Sequence, residues 1–280
     1  MPFEHVKVEP IKPLVGAVIH TDKATLLQPG FAQFALDKLA KHGALVFPKV
    51  GLTDAEQLQF TDSLGERVNF TRSVPGADMA AQDVYTITLD KDVNPEQEYV
   101  LGSMYWHMDG ICSDIPPSPI TLLSCKKTAP SGGQTEFAST YAIWNALPPE
   151  TQAKLEKLRV VHTVAAAVRE IVLPYEISPE RRNRRHEHPL VWTHADGRKS
   201  LLIGCHADYI VGMPKAVGRV LLNRLLEWAA RPEFNCQHSW SVGDFAMWDN
   251  TGMLHRAVPY AEDSGRRMHR TSVAGFDKVA

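Results

Sequence analysis

The amino-acid sequence predicts a mainly β fold with helical inserts, best matched by a jelly roll in which two sheets pack face to face. From residue 83 onward, short segments rich in β-branched and aromatic residues are separated by Pro, Gly and Asp, as in strands joined by turns. The helical patterns do not alternate regularly with these strands, as they would in a parallel α/β sheet. We therefore expect a double-sheet core with inserted helices.

The N-terminal part predicts two helices that flank a strand. The segment "GFAQFALDKLAKHG" has apolar residues at helical spacing and ends at Gly43, a residue type that favours helix C-termini. The apolar run "ALVFPKV" follows as a buried strand. In "TDAEQLQFTDSLGE", Thr53 and Glu56 have the spacing of a capping box, which predicts the start of the second helix.

The middle of the chain predicts strands in "DVYTITLD", "PITLLSCKKTA" and "QTEFAST". The next segment, "STYAIWNALPPETQAKLEKL", predicts a helix that is broken at Pro148 and Pro149. Further on, "PLVWTHADGRKSLLIG" predicts a hairpin that turns at Asp196 and Gly197.

The C-terminal part predicts one helix and two strands. The helix "AVGRVLLNRLLEWAAR" is expected to place Val220, Leu221, Leu225 and Trp228 on one face. The expected strands are "SWSVGDFAMWDNTGMLHRAVPY" and "RRMHRTSVAG".

Length and composition bound the possible functions. A chain of 280 residues with 44% apolar residues suits one domain, with residues 1–82 packing on a core formed by 83–280 and a lid-like loop near 174–189. The net charge of −2 gives no field for holding nucleic acid. No apolar run is long enough for a membrane span and no secretion signal is recognised, so we expect a cytoplasmic protein. The four cysteines are scattered, which predicts neither disulfides nor a thiolate zinc site.

Three H-x-D pairs are candidates for metal ligands. In an extended strand, residues i and i+2 point to the same face, so each pair could offer an imidazole and a carboxylate to one ion. The pairs are His107 with Asp109, His194 with Asp196, and His206 with Asp208. Turn chemistry explains the second pair, whereas the pattern alone leaves the third pair open.

A third ligand has to come from elsewhere in the chain. A mononuclear non-haem iron oxygenase needs two histidines and one carboxylate, and His255 is the C-terminal candidate for the second histidine. Arg266 and Arg270 follow it at even spacing on one strand. Two arginines on one face repel each other unless each meets an anion, so either a pocket for two acids or a solvated strand edge would explain them.

In their order and spacing, five segments resemble the Fe(II)- and 2-oxoglutarate-dependent dioxygenases typified by taurine dioxygenase and 2,4-dichlorophenoxyacetate dioxygenase. The segments are "WHMDG", "SGGQTEFAS", "HPLVWTHADGRKSLLIGCHADYIVGMP", "WDNTGMLHRA" and "RRMHRTSVAG". The resemblance extends over residues 44–275 and implies a double-stranded β-helix core. Unlike taurine dioxygenases, the chain has no histidine in residues 65–88, and its C-terminal half looks closer to the phenoxyacetate-type members.

The resemblance implies a role for each matching residue. His107, Asp109 and His255 match the metal ligands and the catalytic centre. Thr135 and Arg266 match the residues that bind 2-oxoglutarate, and Arg270 matches a position that binds the acidic group of the primary substrate. The implied cofactors are Fe(II), 2-oxoglutarate as co-substrate, and O₂.

The implied reaction is hydroxylation of a small organic acid of the aryloxyalkanoate, carboxylate or sulfonate type, with release of succinate and CO₂. Tyr105 and Tyr209 are candidates for the substrate-pocket wall, and the arginines at 181, 182, 184 and 185 for a cationic lid. The family implies a homodimer or homotetramer. Two alternatives remain: a zinc-dependent hydrolase or isomerase on a related barrel, and a non-catalytic protein that binds small acids.

Overall fold

The computed structural model describes residues 3–68, 84–95, 97–112, 116–173, 175–275 and 279. The N-terminal elements are β1 (Lys7–Pro10), β2 (Ala17–His20), α1 (Lys23–Leu26), α2 (Phe31–His42), β3 (Ala44–Phe47) and α3 (Asp54–Leu64). The middle elements are β4 (Tyr85–Ile87), α4 (Gln97–Gly102), β5 (Ile120–Lys127), β6 (Thr135–Ser139), α5 (Thr140–Asn145), α6 (Pro149–Leu155), β7 (Arg159–Thr163), α7 (Val164–Ala167) and α8 (Pro179–Arg182). The C-terminal elements are β8 (Arg185–Pro189), β9 (Val191–Thr193), β10 (Lys199–Leu201), β11 (Ala207–Ile210), α9 (Lys215–Ala229), β12 (Asn235–His238), β13 (Phe245–Asp249), β14 (Met253–Ala257) and β15 (Arg267–Ser272).

A seven-stranded sheet forms one side of the core, in the order β1-β2-β3-β13-β5-β15-β4. Smaller sheets are formed by β12-β6-β14, by β11-β7-β8 and by β10-β9. Among the described strands, all pairs are antiparallel except β2 with β3. The predicted mainly β class with helical inserts is confirmed.

An apolar layer joins the large sheet to the sheet β12-β6-β14. It contains Leu123 and Cys125 from β5 and Phe137 from β6, together with Trp248, Met253 and Met268 from β13, β14 and β15. A second cluster packs α2 and α3 against the other face of the large sheet, with Phe31, Phe60 and Phe245 at its centre. The large sheet is therefore covered on both faces, and the face opposite α2 and α3 packs against β6 and β14.

The local predictions for the helices are confirmed at both ends of the N-terminal pair. Gly43 ends α2 with φ +73°, and its amide donates to the Leu39 carbonyl. At the start of α3 the Thr53 hydroxyl accepts from the Glu56 amide, and the Glu56 carboxylate accepts from the Thr53 amide. The break at Pro148 separates α5 from α6, as expected.

Two predictions about the C-terminal part were wrong in detail. The buried face of α9 contains Gly218, Leu222, Leu225 and Ala229, whereas Val220 is exposed. The segment expected as one strand, residues 239–260, contains both β13 and β14, which belong to different sheets. The sequence pattern could not show this, because the sheet that a strand joins depends on partner strands elsewhere in the chain.

Among the residues that the structure describes, no helix is long and apolar enough to cross a membrane. Part of the segment noted for its lack of histidine, residues 69–83, lies outside the described residues.

Candidate active site

Two backbone hydrogen bonds join the segment of His107 to β14. The His107 amide donates to the His255 carbonyl over 3.1 Å, and the His255 amide donates back over 3.0 Å. Asp109 follows two residues later, and one donor atom from each of the three side chains lies within 4.8 Å of the other two. The structure therefore brings together the three residues predicted to bind the metal.

The three donor atoms are arranged around a shared space and do not bond to one another. His107 Nε2 lies 3.8 Å from Asp109 Oδ1, and His255 Nε2 lies 3.7 Å from Asp109 Oδ2, beyond hydrogen-bond distance. His107 Nδ1 is 2.8 Å from the Tyr105 carbonyl, which can only accept, so this nitrogen carries the proton. The Nε2 lone pair is thus available for a metal ion.

The electrostatics keep the site in the protonation states that metal binding needs. Burial lowers the pKa of His107 and holds that of His255 well below its usual value. Burial alone would raise the pKa of the Asp109 carboxyl, but Arg270, His255 and His107 outweigh it and hold that pKa below its usual value. Two neutral imidazoles and one ionised carboxylate fit a divalent iron ion.

Asn250 holds the backbone of Asp109 at both its polar groups. Its Oδ1 accepts from the Asp109 amide over 2.8 Å, and its Nδ2 donates to the Asp109 carbonyl over 3.0 Å. The carboxylate is held separately by the Thr121 hydroxyl, which donates to Oδ2 over 2.9 Å. The sequence predicts support of the His255 strand by Asn250, but not the contacts of Asn250 and Thr121 with Asp109, because these contacts join segments far apart along the chain.

Arg270 lies directly beside the three donor residues. Its Nη1 donates to Asp109 Oδ1 over 3.0 Å, and its guanidinium lies 5.2 Å from the centre of the Tyr85 ring. This position at the edge of the site suits a residue that meets an incoming acid. A role in substrate binding stays a prediction.

Arg266 is a buried cation held by neutral groups. Its side chain donates through Nε and Nη2 to the Gly133 carbonyl, over 3.1 and 2.9 Å, and stacks on Tyr260. The residue is only 3% exposed, and no described carboxylate lies within ion-pair distance of it. Burial lowers the pKa of this guanidinium. An anionic ligand such as 2-oxoglutarate would supply the missing counter-charge.

Thr135 lies in the same corner of the barrel, two residues after Gly133. Its hydroxyl oxygen accepts from Trp240 Nε1 over 2.9 Å, and the residue is buried. Because the oxygen is already used as an acceptor, the hydroxyl hydrogen remains available for donation to an anion. Thr135 and Arg266 are thus linked through the turn at Gly133, and their shared role in binding 2-oxoglutarate stays a prediction.

The contacts of Tyr105 and Tyr209 in the described residues are with other groups. The Tyr105 side chain is 36% exposed, lines a surface groove of about 580 Å³, and donates from its hydroxyl to the Glu170 carbonyl over 3.3 Å. Tyr209 packs under the Lys215 ammonium, which lies 5.3 Å from the ring centre. What Tyr105 contributes to the site is its carbonyl, which orients His107. A contact of either side chain with the substrate stays a prediction.

The other two H-x-D pairs are engaged elsewhere. His194 bonds to the Ser200 hydroxyl at the β9–β10 hairpin, and Asp196 holds the Arg198 amide in the turn, as the turn chemistry predicts. Asp208 is surrounded by three cations, which are Arg169, Lys215 and Arg219.

The segment predicted as a cationic lid is anchored by one of its arginines. Arg181 lies in α8, and its Nη1 is 2.7 Å from Glu98 Oε1 on α4. The Tyr175 hydroxyl donates to the other oxygen of Glu98, and the Arg181 guanidinium stacks on Tyr99 at 3.8 Å. Arg182, Arg184 and Arg185 are exposed. Arg181 therefore acts as a tether between this segment and α4.

Two facing sheets with two histidines and one carboxylate between them define the class of jelly-roll non-haem iron oxygenases. Sequence comparison places the chain more narrowly: it belongs to the taurine catabolism dioxygenase TauD, TfdA family, whose match covers residues 7–272.

Individual relatives agree with this placement. The chain is 34% identical to the alpha-ketoglutarate-dependent 2,4-dichlorophenoxyacetate dioxygenase of Burkholderia sp. (strain RASC), over 96% of this chain and 95% of that protein. It is 36% identical to the dioxygenase of the same description from Cupriavidus pinatubonensis, over 81% and 83% of the two chains. Among solved structures, AAD-2 in complex with Mn(II) and N-oxalylglycine superposes with a TM-score of 0.82 at 28% identity, over 98% and 99% of the chains.

These findings confirm the family resemblance and the double-stranded β-helix core. They also confirm the predicted reaction class, a 2-oxoglutarate-dependent dioxygenase that uses Fe(II) and O₂.

Proposed function

We propose that this enzyme hydroxylates a small organic acid at a carbon next to the metal site, with release of succinate and CO₂. His107, Asp109 and His255 are the proposed metal ligands, Thr135 and Arg266 the proposed 2-oxoglutarate contacts, and Arg270 the proposed contact for the substrate's acidic group.

The observation that carries this proposal is the open donor set. Two neutral imidazole nitrogens and one carboxylate face a common space, and none of the three is bonded to another. Such a ligand set leaves coordination positions free for a co-substrate and O₂. The second support is the buried Arg266, whose charge has no carboxylate partner in the described part of the chain.

The bound iron and 2-oxoglutarate supply the oxidising chemistry, and the protein supplies position and charge. Arg266 would hold the far carboxylate of the co-substrate, and the Thr135 hydroxyl would provide a second contact to it. Arg270 orients the primary substrate, which places one C–H bond beside the metal. The apolar layer with Phe137, Trp248 and Met268 reaches the site at His255, whose ring centre lies 4.7 Å from that of Trp248, and would keep water away on this side.

The substrate we propose first is an aryloxyalkanoate. The two relatives named above act on 2,4-dichlorophenoxyacetate, which combines an aromatic ring with one carboxylate. An acid of this kind offers a single anion for Arg270. Carboxylates and sulfonates without an aromatic ring are the next candidates.

The test is an anaerobic titration of the metal-free protein with Fe(II) and 2-oxoglutarate, followed by its weak visible charge-transfer band. We expect a band that needs both additions and that Arg266→Ala weakens, because the co-substrate loses its counter-charge. Succinate release is then measured with aryloxyalkanoates, carboxylates and sulfonates. Tight zinc binding without a band would support instead the alternative, a hydrolase or isomerase.

A band without succinate release for any acid would favour the second alternative, a binding protein for small acids.

We further propose that the chain works as one domain, in the cytoplasm, and as a homodimer or homotetramer without nucleic-acid or membrane partners. Four free cysteines, two of them fully buried, suit a reducing compartment. Light scattering of the purified protein measures the oligomeric state.

A further inference from the structure

Three buried histidines form a group next to the proposed metal-binding segment, residues 107–109, and have no part in the function proposed above. His206 directly precedes β11, His162 lies in β7 and His188 in β8; they are 3%, 0% and 4% exposed. The centre of the His162 ring lies 4.9 Å from that of His206 and 5.7 Å from that of His188. Among the described residues, this is the densest group of buried imidazoles outside the donor set.

One member of this group contacts the backbone between two proposed ligands. The amide of Met108, which lies between His107 and Asp109, donates to His206 Nε2 over 3.1 Å. An amide N–H can only donate, so His206 Nε2 carries no proton. His206 is therefore the neutral tautomer with its proton on Nδ1.

His162 holds His206 in this tautomer. The two Nδ1 atoms are 2.8 Å apart, and since His206 Nδ1 carries the proton, His162 Nδ1 must accept it. The proton of His162 is then on Nε2, which is buried without a partner among the described residues. The hydrogen bonds thus run in one direction, from Met108 through His206 to His162.

The backbone beside His206 is shaped for this contact. Gly204 has φ +139°, and a Cβ there would lie 2.9 Å from both His206 Nε2 and the Trp106 carbonyl oxygen. The next amide, that of Cys205, donates to the Trp106 carbonyl over 2.8 Å. The segment 204–206 therefore lies directly against residues 106–108.

We propose that His206 is a positioning residue for the metal site. Its Nδ1–H tautomer, held by His162, fixes the Met108 peptide and with it the spacing of His107 and Asp109. This inference rests on the metal site proposed above, and it gives the third H-x-D pair a role in which His206 binds the ligand segment instead of the metal.

The first test measures Mn(II) binding to the metal-free protein by isothermal titration calorimetry. His206→Asn ends at the position of Nδ1 and leaves the Met108 amide without an acceptor, so we expect affinity to fall about 10- to 100-fold. His206→Gln can place its Oε1 at the position of Nε2, so we expect affinity within about threefold of the wild type. His188→Gln is the matched control, since His188 bonds to the Ile111 carbonyl and not to residues 107–109.

The second test uses long-range ¹H–¹⁵N NMR spectra of the metal-free wild type. We expect a proton on Nδ1 of His206 and on Nε2 of His162. This readout needs no variant, so it can refute the inference even if His206→Asn does not fold.

Three results would overturn the inference: a proton on His206 Nε2, wild-type affinity in His206→Asn, or equal losses in His206→Asn and His188→Gln. A wild-type protein that binds no Mn(II) would instead overturn the metal site itself.

Discussion

At the residue scale, the segment 107–109 has a different partner for each of its three amides. The His107 amide bonds to the His255 carbonyl, the Met108 amide to His206, and the Asp109 amide to Asn250. Each of these partners comes from a distant part of the chain. The proposed ligands are consequently positioned by tertiary contacts, which keep the donor atoms of His107 and Asp109 aimed at one point.

Replacing a proposed ligand should abolish turnover, whereas replacing a histidine of the hairpin should not. We expect His107→Ala to reduce 2-oxoglutarate turnover more than about 100-fold, because even partners of ligands are worth about 10- to 100-fold. His194→Ala, which loses the bond to Ser200 and the ring contacts with Tyr141 and Trp192, should retain most of the activity. Succinate release measures both. Equal losses would contradict the choice of ligand pair.

Asn250 should affect metal binding through the Asp109 backbone. Asn250→Asp replaces the amide that donates to the Asp109 and Ser118 carbonyls by an acceptor, so both carbonyls lose their donor. We expect about tenfold weaker Mn(II) binding or more. Asn235→Asp is the control, because the Asn235 amide also donates to two carbonyls, at the end of α9. Calorimetry should show wild-type Mn(II) affinity in the control, and an equal loss there would refute the assignment.

At the element scale, the turn before β6 is shaped around the Arg266 side chain. Gly133 has φ +75°, and a Cβ there would lie 2.9 Å from Arg266 Cδ and Nε. Gly197, in the β9–β10 turn, has φ +84° and nothing within 4 Å of its Cβ position. The two glycines therefore share the backbone conformation and differ in what surrounds them.

Alanine substitutions at these two positions should distinguish backbone strain from displacement of the Arg266 side chain. Both Gly133→Ala and Gly197→Ala should lose about 1–2 kcal/mol of unfolding free energy, since both place a side chain at positive φ. Only Gly133→Ala should raise the KM for 2-oxoglutarate, by about tenfold, because it displaces Arg266. Steady-state kinetics and urea unfolding measure the two effects. A raised KM in Gly197→Ala would contradict this account.

The ion pair between Arg181 of α8 and Glu98 of α4 should control how easily a protease reaches the segment that precedes β8. Arg181→Ala removes the ion pair with the buried Glu98, so residues 175–182 should open more often and be cleaved faster by a protease. Arg182→Ala is the matched control, since Arg182 is exposed in the same helix. Limited proteolysis compares the two rates of cleavage, and equal rates would show that Arg181 is not the anchor.

At the scale of the whole molecule, the buried histidines make stability depend on pH. Burial is the main reason that the pKa of His188 is lowered to about 4, and the neighbouring His186 adds to it. Between about pH 6.5 and pH 4 the unfolded imidazole binds a proton that the folded one does not. His188 therefore leaves the unfolding free energy unchanged above about pH 6.5 and lowers it as the pH falls through this window.

His188→Gln should flatten this dependence. The glutamine cannot titrate, so the loss of unfolding free energy between pH 7 and pH 4 should shrink by on the order of 2–3 kcal/mol. Urea unfolding of the metal-free protein at several pH values measures the slope. An unchanged slope in the variant would contradict a depressed pKa at His188.

Much of the local structure could be predicted from the sequence, because its causes are local. The capping box at Thr53, the glycine that ends α2 and the turn at Gly197 each depend on residues a few positions apart. The buried face of α9 could not be predicted in the same way, because Leu222 and Ala229 are buried by strands and helices that are remote in sequence.

By itself, the sequence determined the fold class, the family and the candidate ligand triad, since five ordered motifs and the strand pattern are written in the chain. Only the tertiary structure shows that His107 and Asp109 meet His255 in space, because the bridge between residues 107 and 255 joins segments 148 positions apart. It also decided that Arg266 is a buried cation and that Asn250 and His206 hold the ligand segment. Burial and hydrogen-bond direction arise only when distant segments pack together, so no local pattern encodes them.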